Sequence, residues 1–397
     1  MSEAQHIETA TTRNAIVAAI VISALGAIFY NVLPLYLGTA QDSKALSNSQ
    51  LGLISTAFFV GYNLITLSAF YWIRVFSWRL VACLALPLGG ACLYASTLAD
   101  SYALLLGLTT VAGGAFAVVY GIGTTIISDT DNPARWYGLK IAAEAGLGAV
   151  LLVILPGTLV AQYGFDGMIW GILITLAVLS PVLIILPRSG RKVTPPSTDP
   201  GNSAYPGGKS GPIWFALLAT FAFFTGTSAV WAFMERLGNA YGFDAEAIGT
   251  LLALTLIFAT SGSLAVAAIG RLFGNFYPFI LSVVSIFASL VILNIPGDFT
   301  LFAAGCCLFS IGFGAGLPLI VAEVAELDHD GRYTVLSVPA VGLGAMIGPA
   351  IAGFLFTETS AQPVVIATAV AMAAAALFAA VAFFGSKSAT IELSGVG

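Results

Sequence analysis

The chain has 397 residues, of which 58% are hydrophobic and only 8% are charged. A water-soluble domain carries about 25% charged residues because its surface must be hydrated, so this composition excludes an ordinary soluble protein and predicts a surface that faces lipid. The formal net charge of −5 comes from charges spread along the chain, which provides no basic surface for nucleic acid.

Twelve apolar segments are each long enough to cross a bilayer as an α-helix, which takes about 20 residues. These runs are too long, and alternate too little, for the roughly ten-residue strands of a membrane β-barrel, so we expect an all-α membrane protein. The predicted segments are 14–37, 50–72, 79–98, 102–128, 136–160, 167–187, 213–235, 246–269, 276–295, 300–325, 333–356 and 362–385.

Residues 188–212 separate the sixth segment from the seventh and differ from everything around them. They contain five prolines, five glycines and four basic residues, with almost nothing apolar to bury. Such a composition cannot offset its ordering entropy and predicts a solvated linker. The predicted organisation is an N-terminal six-helix bundle over 1–187, a linker over 188–212 and a C-terminal six-helix bundle over 213–397.

The basic residues predict the orientation of the chain in the membrane. When the N-terminus is placed in the cytoplasm, all 14 Lys and Arg residues except Lys44 and Arg236 fall on the cytoplasmic side. This bias is the positive-inside signal, so we expect both termini and the linker to be cytoplasmic. The expected location is the plasma membrane, and specifically a bacterial inner membrane.

The two halves repeat one another at a nearly constant offset. Gly52 near the start of segment 2 corresponds to Gly249 near the start of segment 8, within similar surroundings. Several weak matches in the same order predict a duplicated six-helix unit with pseudo-twofold symmetry. Further pairs are Arg74 with Arg271, Gly148 with Gly344, and the expected helix N-caps Ser47 with Asp244.

Over its whole length the chain resembles the major facilitator superfamily of secondary transporters. The family's loop motif between segments 2 and 3 is matched in part by residues 72–79 and by their counterpart at 270–275, although its acid is absent from both. Residues 344–353 resemble the family's glycine-proline motif, but they lie in segment 11. Segment 5, where that motif would suggest a drug antiporter, has only Pro156 and Gly157. Small residues let helices approach closely, so packing or a hinge is favoured over ligand contact.

The resemblance implies that segments 1, 4, 7 and 10 line a central cavity. Polar and aromatic side chains share one face of segment 7 and one face of segment 4, and lipid contact does not explain that grouping. A helix–helix seam, ordinary aromatic packing, or an interfacial aromatic belt for Tyr30 and Trp231 are the alternatives. Asn63 is equally consistent with a hydrogen bond between helices. The predicted substrate-binding residues are Tyr30, Asn31, Asn63, Tyr120, Thr124, Phe224, Thr227 and Trp231.

Three carboxyl groups are candidates for proton coupling. Glu144 is predicted to lie about one turn inside segment 5, with Lys140 at the membrane boundary, and the i, i+4 spacing allows a structural ion pair instead. An interfacial pair with Arg236 is the favoured interpretation of Glu235. A solvated acidic cluster is the favoured interpretation of Glu323, at the inner end of segment 10.

Four arginines near the cytoplasmic ends are predicted to act in gating or in packing between helices. No arginine lies deep in any segment, which argues against a carrier of phosphate or dicarboxylates. The cysteines lack metal-ligand spacing, and we expect no metal site and no cofactor. The predicted gating residues are Arg74, Arg135, Arg271 and Arg332.

The sequence therefore predicts a monomeric secondary active transporter that moves a small organic solute by alternating access, driven by a proton gradient. The aromatic residues favour a neutral or weakly charged, partly apolar solute. An ion-independent facilitator, a drug or metabolite exporter working by proton antiport, and a receptor on a transporter fold remain alternatives. An enzyme is disfavoured because no nucleophile–base pair or metal cluster lies at depth.

Overall fold

The computed structural model describes residues 12–130, 133–188, 211–269, 272–295, 297–327, 333, 336–357 and 362–394. Residues 189–210, most of the predicted linker, lie outside the described residues. A π-helical turn spans Pro156–Val160, and a 3-10 helix spans Ser180–Ile185. The α-helices are α1 Arg13–Asn31, α2 Leu33–Lys44, α3 Asn48–Trp72, α4 Trp78–Thr97, α5 Tyr102–Ser128, α6 Pro133–Ile154, α7 Ala161–Leu179, α8 Gly211–Ala240, α9 Ala245–Ile269, α10 Phe276–Leu293, α11 Phe299–Leu327, α12 Ser337–Leu355 and α13 Gln362–Ser394.

The predicted membrane-spanning segments are confirmed as helices. Eleven stretches of the described chain are long and apolar enough to cross a membrane, and one of them, Leu139–Ile185, has 47 residues. That length is more than twice the roughly 20 residues that one span requires. It doubles back at Gly164, whose φ of +54° suits glycine, so it contains two spans. With α1 and α2 forming the first segment, each later helix corresponds to one predicted segment.

The break between α1 and α2 was not predicted, and Pro34 explains it. Proline has no backbone N–H and its ring obstructs the carbonyl four residues earlier, so an α-helix bends or ends there. Val32 accordingly leaves helical geometry, with φ −106° and ψ 10°. The carbonyl of Tyr30 thereby loses its usual helical partner. The chain then continues as α2 to Lys44, beyond the predicted end of the segment.

Local signals repeat at the start of α3 and α9, as predicted. Ser47 and Gln50 form a capping box at α3, with bonds of 3.3 Å and 2.9 Å between each side chain and the other residue's backbone N–H. At α9, the carboxylate of Asp244 accepts bonds from the N–H groups of Glu246 and Ala247, at 3.0 Å and 3.1 Å. Both caps satisfy backbone donors that the first helical turn leaves unpaired.

The two halves of the chain meet through matching pairs of helices. We call the side of the molecule where α1 begins the N-terminal side, and the opposite side the far side. α3 packs against α12, and α6 packs against α9. Gly52 on α3 touches the backbone at Pro349, and its counterpart Gly249 on α9 touches the carbonyl of Leu152. The duplicated glycines therefore mark equivalent crossings between the halves, where a side chain would keep the helices apart.

Each glycine of the second duplicated pair packs against a helix of its own half, and Gly148 also packs against Leu256 of α9 in the other half. Gly148 on α6 packs against Asn31 of α1, and Gly344 on α12 packs against Phe224 of α8. Gly348, in the glycine-proline motif of α12, also packs against α8. These contacts support the packing interpretation of that motif.

We predict that Gly52→Ala destabilises the protein by about 1–3 kcal/mol, because the added methyl group overlaps the α12 backbone. Thermal unfolding of the purified protein in detergent measures this change.

Gly107→Ala on α5 is the matched control, because no atom lies within 4 Å of the added methyl group. It is expected to be neutral or slightly stabilising, since alanine favours a helix over glycine by about 1 kcal/mol. Equal unfolding temperatures for the two variants would contradict close packing at Gly52.

Candidate functional site

A buried ion pair lies on α6. The Nζ atom of Lys140 is 2.7 Å from Oε1 of Glu144, and the two side chains are 2% and 12% exposed. The i, i+4 spacing on one helix places them together, as predicted. The Lys140 ammonium also lies over the ring of Tyr120 on α5, 3.9 Å from its centroid, which is a cation–π contact. Although its position in the sequence suggested the membrane boundary, Lys140 is packed inside the protein.

Aromatic side chains from both halves form a wall beside this pair. The ring of Tyr30 on α1 lies 5.9 Å from Phe59 on α3, 6.0 Å from Phe224 and 6.5 Å from Trp231 on α8, between ring centroids. The indole N–H of Trp231 donates to the carbonyl of Tyr30 at 2.9 Å. That carbonyl is available because Pro34 has no N–H to offer it. Tyr30 and Trp231 thus connect the halves and are not interfacial belt residues.

Tyr62 joins the wall to the ion pair. Its ring lies 6.0 Å from Phe59 and 5.9 Å from Tyr120, between centroids. Asn31, next to Tyr30, donates its side-chain amide to the backbone carbonyl of Glu144 at 2.9 Å. One continuous set of contacts therefore runs from α8 through α1, α3 and α5 to α6. We call this set the central cluster: Tyr30, Asn31, Phe59, Tyr62, Tyr120, Lys140, Glu144, Phe224 and Trp231.

The remaining predicted binding residues lie apart from these contacts. Asn63 is buried against Gly342 of α12, and its amide nitrogen has no hydrogen-bond partner among the described residues. Thr227 is fully buried and donates to the carbonyl of Phe223 on its own helix, at 2.9 Å. Thr124 is half-buried one turn from Tyr120. The amide nitrogen of Asn63 is therefore able to donate a further hydrogen bond.

A second charged cluster closes the far side between α2 and α8. Arg236 donates to the carbonyl of Gly38 and lies 2.9 Å from the carboxylate of Asp42 and 3.1 Å from that of Glu235. Asn239 donates to Glu235 at 2.6 Å. The buried Glu235 carboxylate occupies the space that a side chain at Gly38 would fill. The pairing of Glu235 with Arg236 is confirmed, and it is also a contact between the halves.

The sequence favoured a solvated acidic cluster as the interpretation of Glu323, but the side chain is buried. It is 8% exposed, and the side-chain amide of Asn275 donates to it at 3.3 Å. Asn275 comes from the turn before α10, so the folded chain brings this partner from another helix, which local sequence does not reveal.

Arg74 pairs with an acidic residue from outside the loop motif, which has no acid of its own. Two guanidinium nitrogens bind the two carboxylate oxygens of Asp129, at 2.6 Å and 2.7 Å. Asp129 caps the end of α5, so this bidentate pair joins the loop after α3 to α5. Arg271, Arg332 and the side chain of Arg135 lie outside the described residues.

The described residues contain no group of three or more His, Cys, Asp and Glu side chains that could hold a metal ion. The four cysteines at Cys83, Cys92, Cys306 and Cys307 are free thiols.

The family profile described as Major Facilitator Superfamily matches residues 15–337 and, in a second match, 216–396. The chain belongs to the Major Facilitator Superfamily. It is a multi-pass membrane protein of a transporter family, and the enzyme alternative is set aside.

Solved structures of Major Facilitator Superfamily transporters share the fold. A bacterial homolog of the human lysosomal transporter Spinster, inward-facing and unoccupied, matches at 15% identity with a TM-score of 0.69, covering 95% of this chain and 97% of that one. A structure from work on proton-dependent oligopeptide transporters matches at 11% identity and TM-score 0.67, covering 95% and 97%. The transporter FucP, in the outward conformation, matches at 15% identity and TM-score 0.58, covering 92% and 98%. No curated protein sequence matches the chain closely enough to count as a relative.

Alternating access, as the sequence predicts it, would require contacts between the halves to break and reform. We predict that Arg236→Gln favours separation of the far side, because it removes the bonds to Gly38 and Asp42 across α2 and α8. Spin labels at Asp100→Cys and Ala240→Cys, both exposed and on opposite halves, report that distance in a variant whose native cysteines are replaced.

The control is Lys44→Gln, which removes a far-side charge whose contacts with Thr97 and Phe165 stay within one half. Pulsed electron paramagnetic resonance is expected to show a larger long-distance population for Arg236→Gln only. An unchanged distribution in Arg236→Gln would rule out a gating role for this cluster.

Proposed function

We propose that the protein is a proton-coupled secondary active transporter for a small, partly apolar organic solute, with the central cluster as its binding site. The bundles 1–187 and 213–397 are the two moving units, and a monomer is the working form. The observation that supports this most directly is the buried Lys140–Glu144 pair next to an aromatic wall shared by both halves. Ionisable side chains inside a membrane protein are costly and commonly mark solute or proton pathways.

The aromatic wall is suited to the apolar part of a solute. Ring faces at Tyr30, Phe224 and Trp231 offer stacking without demanding a particular hydrogen-bonding pattern. The unsatisfied amide of Asn63 on α3 is a candidate hydrogen-bond donor to the polar part. The wall residues come from α1 and α8, and Asn63 is buried on α3, so a solute at these groups would be shielded from lipid.

Contacts between the halves support one position in an alternating-access cycle. α2 with α8, α3 with α12 and α6 with α9 join the halves, and the α2–α8 contacts and the duplicated glycine contacts lie toward the far side. On the N-terminal side, Val17 of the inner helix α1 is 46% exposed. With both termini in the cytoplasm of a bacterial inner membrane, as proposed, this is an inward-open state. The greater similarity to the inward-facing Spinster homolog than to outward FucP agrees with it.

We predict that Glu144→Gln abolishes proton-driven accumulation while leaving exchange of labelled for unlabelled solute. The amide cannot carry a proton, yet it preserves the shape of the site. Proteoliposomes with an imposed pH gradient measure accumulation, and the same vesicles without a gradient measure exchange, for any solute that a flux screen identifies.

Glu246→Gln is the control, because Glu246 is an exposed carboxylate at the start of α9, next to the far-side end of α6. It is expected to accumulate solute like the wild type. Normal accumulation by Glu144→Gln would show that another residue couples transport to the proton gradient. Wild-type flux that does not depend on the pH gradient would show that the protein is a facilitator.

A further inference from the structure

The charged environment of Lys140 is unusually simple. α6 packs against α1, α5 and α9. α5 has no charged residue, α1 has only Arg13 at its first position, and α9 has only Glu246 at its second. α3, which contributes Tyr62, has none. Among the described residues of these helices, the anionic group paired with the ammonium of Lys140 is the carboxylate of Glu144.

A purely structural purpose does not account for this pair. Removing two charges from water is expensive, and replacing a buried ion pair with apolar residues is often neutral or stabilising. The surrounding helices are apolar and would accept such residues. A charged pair at this place is better explained by a step in which one of the two charges changes partner.

We infer that Lys140 anchors the carboxylate of a small organic monoanion, and that Glu144 occupies this anchor when no solute is bound. The inference rests on the proposed transport function and names its substrate class. One fixed positive charge matches one negative charge, whereas a dianion would need a second cation. The face of the Tyr120 ring holds the ammonium on its other side.

A continuous series of contacts links the wall to the anchor. Asn31 bonds to the backbone of Glu144, and its neighbour Tyr30 carries the ring that faces Phe224 and Trp231. A molecule with its carboxylate on Lys140 would direct its apolar body along Tyr120, Tyr62 and Phe59 toward that wall.

The exchange conserves charge. The solute carboxylate displaces the Glu144 carboxylate from Nζ of Lys140, and Glu144 then takes one proton from water. The site has no net charge before the step, gains one negative and one positive charge, and is neutral afterwards. Among the described residues, the groups around Glu144 that can titrate are Lys140, Tyr120 and Tyr62, and α1 contributes the amide of Asn31. Because binding takes up a proton, affinity for the anion must rise as the pH falls.

The test is titration calorimetry of the purified full-length protein with four carboxylates and their amides: 3-phenylpropionate, 4-hydroxyphenylacetate, indole-3-acetate and hexanoate. Wild-type protein is expected to bind at least one carboxylate about tenfold or more tightly than the matching amide, which is the ratio that one charge-assisted hydrogen bond gives. Lys140→Met is expected to lose that preference. Equal binding of acids and amides, a preference retained in Lys140→Met, or no binding of any acid overturns the inference.

Glu144→Gln separates this exchange from a structural ion pair. It removes the internal competitor, so the preferred carboxylate is expected to bind more tightly than to wild type and with no change between about pH 6 and pH 8, where the probe stays ionised. A structural pair would instead give weaker binding in Glu144→Gln. The double variant Lys140→Met with Glu144→Gln, which leaves no buried charge unpaired, guards against misfolding and is expected to show no preference.

The proposed transport function and the Lys140 anchor would fail with different experimental results. Proton-driven flux of a neutral or cationic solute, together with no acid preference, would keep the transporter and remove Lys140 as an anchor. An acid preference without any flux in proteoliposomes would keep the anchor and remove proton-coupled transport.

Discussion

Close approach of helices at positions without side chains is the constraint on which this structure depends. Lipid tails are as apolar as leucine, so hydrophobic burial gives helices in a bilayer little reason to associate, and dense packing must hold them together. Gly52 against α12 and Gly249 against α6 provide such packing between the halves. No charged group takes part in these two glycine contacts, so separating the helices there would leave no charge without a partner.

The polar groups follow a different rule. In a medium without water, a buried donor or acceptor needs a partner from the protein. Lys140 has Glu144, Glu235 has Arg236 and Asn239, and Arg74 has Asp129. The first pair lies within one helix and the third within one half. The far-side cluster around Arg236 is different because it crosses between the halves, so its bonds depend directly on their separation.

Much of the fold could be read from the sequence because membrane spans are long, apolar and separated by turns. The sequence also predicted the caps at Ser47 and Asp244 and the Lys140–Glu144 pair, because each depends on neighbours in sequence. It predicted the duplicated glycines through the repeat between the halves. What could not be read depends on distant partners. The sequence around Glu323 does not predict its bond to Asn275, and the sequence around Arg74 does not predict its pairing with Asp129. Pro34 could have predicted the break between α1 and α2, because a proline cannot bond to the carbonyl four residues earlier, which is that of Tyr30.

That proline has one more consequence. A carbonyl without a helical partner is a permanent acceptor, and here the indole N–H of Trp231 from the opposite half satisfies it. If α1 and α8 separate at this level, the oxygen loses the indole and keeps only its contact with the N–H of Val32, so water or a bound molecule can take the place of the indole. The bond between Trp231 and the Tyr30 carbonyl therefore exists only while the two bundles are in contact at this level.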